Sequence, residues 1–288
     1  ALMYEGITPV LVEAEGLTWN IDPDLIERSI TSKTKAIMVV HLYGHPCDMD
    51  AISEIAEKHG LPVIEDAAQA HGAEYKGRRA GSLGTIATFS LFANKVITSG
   101  EGGVIVTDSE ELANKCRYYR NQCFPLNGPR HFIHEDIGYN YRMTNVQAAL
   151  AWAQLGKIDD LIDGRRRVNA EYRRHLEGVP GIGFQHEMSW AKNIFWMTAI
   201  TIDPVEAGFK RNDLERHLID QQIQTRRLFV GMNQQPVLET ETQDSGEEAG
   251  FPVSDFLADN GLYLPSSSHL EQEKIEAISV AITELVSS

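Results

Sequence analysis

The chain has 288 residues, of which 42% are hydrophobic, 8% aromatic and 23% charged. That composition excludes a disordered or fibrous chain and leaves room for one large or two medium domains. With 26 Lys plus Arg against 41 Asp plus Glu the formal charge is −15, which opposes a sequence-independent grip on nucleic acid. No apolar run is long enough to cross a membrane as a helix, and no signal-peptide layout opens the chain. A protein without membrane or nucleic-acid partners, working in the cytoplasm, is expected. Cys47, Cys116 and Cys123 are an odd, sparse set without CxxC spacing, so reduced thiols are expected.

The opening A-L-M-Y-E-G (1–6) reads as a last helical turn stopped by Gly6, followed by a strand at T-P-V-L-V-E-A (8–14). A helix tail without its helix suggests that the chain starts inside an element and lacks an N-terminal piece. Next come a β-branched run at 36–43 bounded by Gly44 and Pro46, a helix at 49–59 with Ile52, Ile55 and Ala56 on one face, and a short strand at 61–66. Strand, helix, strand demands a parallel sheet with right-handed crossovers and ligands at the carboxyl ends of its strands. Further strands are expected at 85–92 and 103–108, then a helix at 109–120 capped by Ser109.

From Thr144 a helical pattern runs through 145–162 and continues past Gly164 to 176. Such length suits a link between domains. A strand at 194–202, a helix capped near Asn212, a polar loop at 233–248 and a terminal helix from about Glu271 follow. The fold class is therefore α/β: a mostly parallel central sheet with flanking helices over residues 1–160, and a smaller C-terminal α+β domain over 161–288.

Asp66 closes V-I-E-D at the ligand-bearing edge of the sheet, with Gln69 and His71 on the turn that follows. A lone Asp there would ordinarily cap its own turn. Lys95 lies just beyond a strand and ahead of a glycine-rich hairpin, where partial desolvation makes an amine nucleophilic toward aldehydes. Most lysines are simply solvated. Lys95, the Ser90 hydroxyl and the Asp66 carboxylate together suit one cofactor: pyridoxal 5'-phosphate needs a lysine for its aldehyde, a carboxylate for its pyridinium nitrogen and donors for its phosphate.

V-I-E-D-A-A-Q-A-H-G (63–72), F-S-L-F-A-N-K with G-E-G-G (89–103) and D-I-G-Y-N-Y-R-M-T-N-V-Q-A-A-L (136–150) resemble the nucleotide-sugar aminotransferases, fold-type-I pyridoxal phosphate enzymes that aminate keto-deoxysugars. H-L-Y-G-H-P-C-D-M-D (41–50) and F-W-M (195–197) also match, and within the family the likeness is strongest to the perosamine synthases, which act on GDP-4-keto-6-deoxymannose. The resemblance implies that Lys95 bonds the cofactor and shuttles a proton between the amino-acid and sugar carbons. It implies that Asp66 keeps the pyridinium protonated, that Gln69 lies against the ring, and that Ser90 holds the phosphate. Asn140 would reach the phosphate of a neighbouring subunit, so a homodimer is implied, and Arg226 matches a substrate-side arginine. The partners the resemblance implies are a nucleotide sugar and an amino-acid donor, glutamate in the family's habit.

Two features depart from the family. Its N-terminal phosphate grip has no counterpart, and I-Q-T-R-R-L-F-V-G-M-N-Q-Q-P (223–236) carries Arg227 and Asn233 where many relatives have Arg-Pro and a Met-His pair. A truncated non-catalytic relative is thus one alternative. A pyridoxamine-dependent sugar dehydratase is another, disfavoured because that branch carries His at the position of Lys95. Three further clusters read as structural. His41, His45, Cys47 and Asp48 lack metal-ligand spacing in a strand and turn, so no metal site is expected. G-R-R-A-G-S-L-G (77–84) is not a phosphate-binding fingerprint, and R-R-R (165–167) reads as a solvated helix face.

Overall fold

The computed structural model describes residues 2–128, 132–238 and 250–286. The first elements are α1 (Pro23–Ser29), β1 (Ile37–Val40), α2 (Met49–His59), β2 (Val63–Asp66), β3 (Glu74–Tyr75), β4 (Arg78–Arg79), β5 (Ile86–Ser90), β6 (Gly103–Val106) and α3 (Glu110–Tyr119). Then follow α4 (Asn145–Leu155), α5 (Ile158–Leu176), β7 (Ile182–Phe184), β8 (Ala191–Lys192), β9 (Thr198–Ile202), α6 (Pro204–Ala207) and α7 (Arg211–Asp220). The last are β10 (Arg226–Arg227), α8 (Pro252–Asn260), β11 (Gly261–Leu264) and α9 (Gln272–Val286).

The first sheet runs β1-β2-β5-β6. β2 pairs in parallel with β1 and β5, and β6 closes the order antiparallel to β5, giving the mostly parallel α/β sheet expected. Its crossover helix α2 forms because Ile52 and Ala56 recur one turn apart and are buried, Asp48 caps its start through Ala51 N–H, and left-handed Gly60 ends it. Beneath it a core of Ile37, Val39, Met49, Ile52 and Val63 holds β1 and β2 in register. The second sheet, β10-β11-β9-β7, is wholly antiparallel, and α5, α7 and α9 bury Tyr172, Leu176, Leu214, Leu218 and Ile282 against it.

Three expectations are corrected. Residues 8–14 form no strand: only Ala14 makes a bridge, to Ile21, because Val12 packs onto the α2 core and Glu13 turns away to α8. The long helix breaks at Gly156 and Lys157, where Lys157 leaves helical conformation at φ −120°. Glycine there costs helix propensity, and the break lets α5 bury Ile162 while Val146 and Trp152 of α4 stay exposed. The Arg165–Arg167 run is a solvated face only at Arg167. Arg165 donates to the carbonyls of Trp196 and Ser266, Arg166 pairs with Glu187 at 2.6 Å, and Arg167 donates to Leu270 O at 2.8 Å. The polar loop expected at 233–248 lies outside the described residues from 239 onward.

Candidate active site

β2 ends at Asp66 beside Val40 of β1 and Thr88 of β5, so its carboxylate emerges at the carboxyl edge of three parallel strands. The side chain is half-buried, and its Oδ1 accepts from Ala68 N–H at 3.0 Å, the turn-capping contact expected of a lone Asp. No other hydrogen bond to the Asp66 carboxylate occurs among the described residues, so its second oxygen is uncommitted. Gln69 follows on the same turn and accepts from Tyr43 N–H at 2.7 Å. His71 is closed off from solvent. It is 4% exposed, its ring lies against Phe89, and both ring nitrogens lack partners among the described residues. Burial and the nearby Lys95 charge push His71 down to about 4, so it is neutral at physiological pH.

β5 delivers Ser90, whose Oγ accepts from Phe92 N–H at 3.2 Å and starts a tight turn closed by Lys95 N–H on Phe92 O at 3.0 Å. Lys95 is half-buried. Burial lowers its pKa, and the negative charge of Asp66 partly restores it. Its Nζ makes no hydrogen bond or ion pair among the described residues and instead stands 3.9 Å from the centroid of the Trp196 ring.

Two motifs that carried no assigned role complete the wall. Tyr43 stands at φ 54°, an uncommon conformation for a bulky residue, and Gly44 beside it has φ 102°. A Cβ on Gly44 would sit 2.5 Å from Ile194 Cγ1, so only glycine lets H-L-Y-G lie against the chain entering F-W-M. The two segments are tied by Trp196 N–H donating to Tyr43 O at 2.9 Å. The Tyr43 ring is parallel to Trp196 at 6.3 Å and to Phe229 at 5.5 Å. Phe229 N–H donates to Tyr43 Oη at 3.1 Å, and burial raises that phenol far above its ordinary range.

Asn140 and Arg226 are not joined to this cluster. Asn140 is exposed and bridges Asn121, while Arg226 is exposed on β10 opposite Tyr263. Of the divergent loop, Arg227 pairs with Glu215 at 2.8 Å and Asn233 donates to Asp255 at 2.7 Å. The G-R-R-A-G-S-L-G loop spends its N–H groups on Glu65: Gly81 at 2.7 Å, Leu83 at 2.7 Å and Gly84 at 2.5 Å. The histidine cluster is likewise satisfied internally. Cys47 N–H donates to His41 Nδ1 at 3.1 Å, which places the proton on Nε2, facing Glu65 at 2.9 Å.

A buried-edge carboxylate with a free oxygen, an unpaired amine, a hydroxyl and aromatic walls is a donor set that fits pyridoxal phosphate. A profile of the DegT/DnrJ/EryC1/StrS aminotransferase family matches residues 1–283. The chain belongs to that family. It is 39% identical over 287 residues to the GDP-perosamine synthase of Escherichia coli O157:H7, covering 100% of this chain and 75% of that protein. To the GDP-perosamine synthase of Caulobacter vibrioides it is 38% identical, over 99% of this chain and 75% of that one. Among solved structures, S. venezuelae DesV in complex with a ketimine intermediate superposes with a TM-score of 0.90 at 34% identity, covering 100% of this chain and 74% of that one. The protein is therefore an enzyme of a pyridoxal phosphate-dependent sugar aminotransferase family, with the corresponding α/β fold. No helix of the described residues is long and apolar enough to cross a membrane.

Proposed function

We propose that this family member transfers an amino group from an amino acid, glutamate, to a nucleotide-linked 4-keto-6-deoxysugar, in the manner of a GDP-perosamine synthase. The observation that carries the reading is the unpaired Lys95 amine in the field of Asp66, on a chain 36–39% identical to three GDP-perosamine synthases. Pyridoxal phosphate, when bound, supplies the aldehyde that takes up the amino group and the ring that accepts the electron pair of the carbanion. In this reading Lys95 Nζ would hold the cofactor through its aldehyde and, once the donor's amino group has displaced it and freed its amine, would remove and return a proton at the reacting carbon. Asp66 holds a proton on the ring nitrogen, Gln69 lies beside the ring, and Ser90 donates to the phosphate. Asn140, exposed and away from these residues, serves the phosphate of a second copy, so the working form is a homodimer. Arg226 faces the nucleotide sugar. The division near residue 160 then separates a cofactor-holding part from a smaller part, with α5 linking the cores beneath both.

Borohydride reduction of the protein with pyridoxal phosphate, followed by peptide mapping, should fix the cofactor on Lys95. An adduct elsewhere, or none, overturns the cofactor role. With the cofactor in place, glutamate and GDP-4-keto-6-deoxymannose should yield the 4-amino sugar faster than dTDP-linked keto sugars do. Lys95→Ala should lower that rate by about 10²–10⁴-fold or more.

A further inference from the structure

A-N-K (93–95) and F-W-M (195–197) are a hundred residues apart in sequence and meet in space. Lys95 Nζ stands 3.9 Å from the centroid of the Trp196 ring, well within the reach of a cation–π contact. The same indole donates from Nε1 to Asn94 O at 2.8 Å, the carbonyl of the peptide that leads into Lys95. One side chain therefore grips both the backbone and the amine of the lysine segment.

The indole is itself immobilised. Trp196 is 2% exposed, its ring stacks on Tyr43 at an interplanar angle of 16°, and its carbonyl accepts from the Arg165 guanidinium. Asn193 Oδ1 accepts from Phe195 N–H at 2.7 Å and holds the preceding residue at φ 46°. A lysine, by contrast, has a flexible four-carbon stem and three rotatable donors. Nζ makes no hydrogen bond or ion pair among the described residues, so the fixed ring face is the contact against which that amine rests.

We propose that Trp196 is a positioning residue for Lys95, its indole face seating the free ammonium in the site and favouring the charged form whenever the lysine is not covalently engaged. Its consequence for transamination rests on Lys95 being the cofactor lysine; the seating itself does not. Burial lowers the Lys95 pKa and the Asp66 carboxylate partly restores it, while His71, the other titratable group near the amine, is neutral; the negative face of the ring adds to the restoring side. Replacing the indole by an aliphatic side chain keeps the dry surroundings and deletes the ring charge distribution, so the amine should lose its proton at lower pH.

The test uses the full chain freed of cofactor. Trace acetylation is followed as a function of pH by peptide mass spectrometry, with exposed Lys58 as internal reference. In Trp196→Leu the Lys95 midpoint should fall by about half to one pH unit, a three- to tenfold larger neutral fraction at a given pH. Trp196→Phe should lie between that variant and the parent, while Lys58 stays put. An unchanged or raised Lys95 midpoint in a folded Trp196→Leu overturns the proposal. Should that variant lose its near-ultraviolet circular dichroism, the Phe variant decides, and a midpoint equal to the parent's overturns it. Borohydride mapping with pyridoxal phosphate runs in parallel: an adduct away from Lys95 sinks the cofactor reading and leaves the seating to the acetylation profile.

Discussion

Glu65 and Asp66 are neighbours on one strand, yet the fold uses them in opposite ways. Strand alternation sends Glu65 inward, where it is fully buried and its two oxygens accept from Gly81, Leu83, Gly84 and His41. Asp66 points the other way, half-buried, with one hydrogen bond to its own turn. A carboxylate whose acceptor sites are filled by the protein is a structural bolt. One left with an open oxygen beside an unpaired amine is available to a ligand. The difference between architecture and chemistry in V-I-E-D is thus a difference in how many donors each carboxylate already holds.

Crossing the two residues gives the largest effects. Asp66→Asn should leave stability within about 1 kcal/mol, because the amide oxygen can still cap Ala68, while activity falls by roughly 10²-fold or more as the charge is lost. Glu65→Leu should do the reverse. It strands three backbone donors and His41 in a dry site, which costs about 3–5 kcal/mol, with the surviving folded fraction still taking up cofactor. Urea unfolding and turnover measured on both variants check the cross. If Asp66→Asn unfolds the protein or Glu65→Leu leaves it as stable as before, the contrast is wrong.

Acid titration separates the bolt from its surroundings. Burial pushes the Glu65 carboxyl up, but the His41 contact and the Gly81 and Gly84 N–H groups outweigh it and leave it below the usual carboxylate range. Its stabilisation is present above about pH 4.3 and is lost as pH falls through the lowered folded value. His45 and His71 act earlier. Both are held neutral by burial, with folded values down at about 4. The unfolded chain takes up those two protons near pH 6.5, so stability is intact above that pH and declines towards pH 4. Two protons correspond to a slope of about 2.7 kcal/mol per pH unit in that window. His71→Phe should halve the slope between pH 6 and 4.5 in urea unfolding series and leave the Glu65-linked loss at lower pH unchanged. A slope that stays the same would mean His71 is not buried neutral.

Glu13 offers a second bolt of intermediate strength. It is 5% exposed and accepts from Val253 N–H at 2.8 Å and Ser254 Oγ at 2.5 Å, capping α8 from a segment some 240 residues earlier. α8 has no side-chain cap of its own at Phe251. Glu13→Ala should therefore cost about 1–2 kcal/mol, the upper range for a lost cap, with cofactor uptake unchanged. Thermal unfolding measures the first and borohydride trapping the second.

The sheet and most of the opening were legible from local pattern. Short apolar, β-branched runs bounded by turn residues and an amphipathic helix placed β1, α2, β2 and β5, and with them Asp66, Gln69, Ser90 and Lys95. What stayed hidden depends on contacts between distant segments. Residues 8–14 have a strand's alternation, but no ladder partner reaches them and Glu13 is spent on α8. R-R-R reads as a wet helix face until the carbonyls of Trp196, Ser266 and Leu270 are seen to meet it. Trp196 belonged to a matching motif, yet nothing in F-W-M announces a lysine; the pairing exists because Gly44 lets H-L-Y-G pack on the residues before Trp196.

Arg227 and Glu215 mark the weak end of the same scale. The guanidinium reaches both carboxylate oxygens, at 2.8 and 3.4 Å, so the geometry matches or exceeds that of many buried pairs. Geometry is not what decides its worth. The Arg227 side chain is 54% exposed, and water competes for every donor it offers, whereas the Glu65 carboxylate is fully buried and has no water to return to. Arg227→Ala should therefore cost no more than about 1 kcal/mol, less still in 0.5 M salt. A loss of 3 kcal/mol or more on thermal unfolding would show that solvent exposure does not set the worth of the Arg227–Glu215 pair.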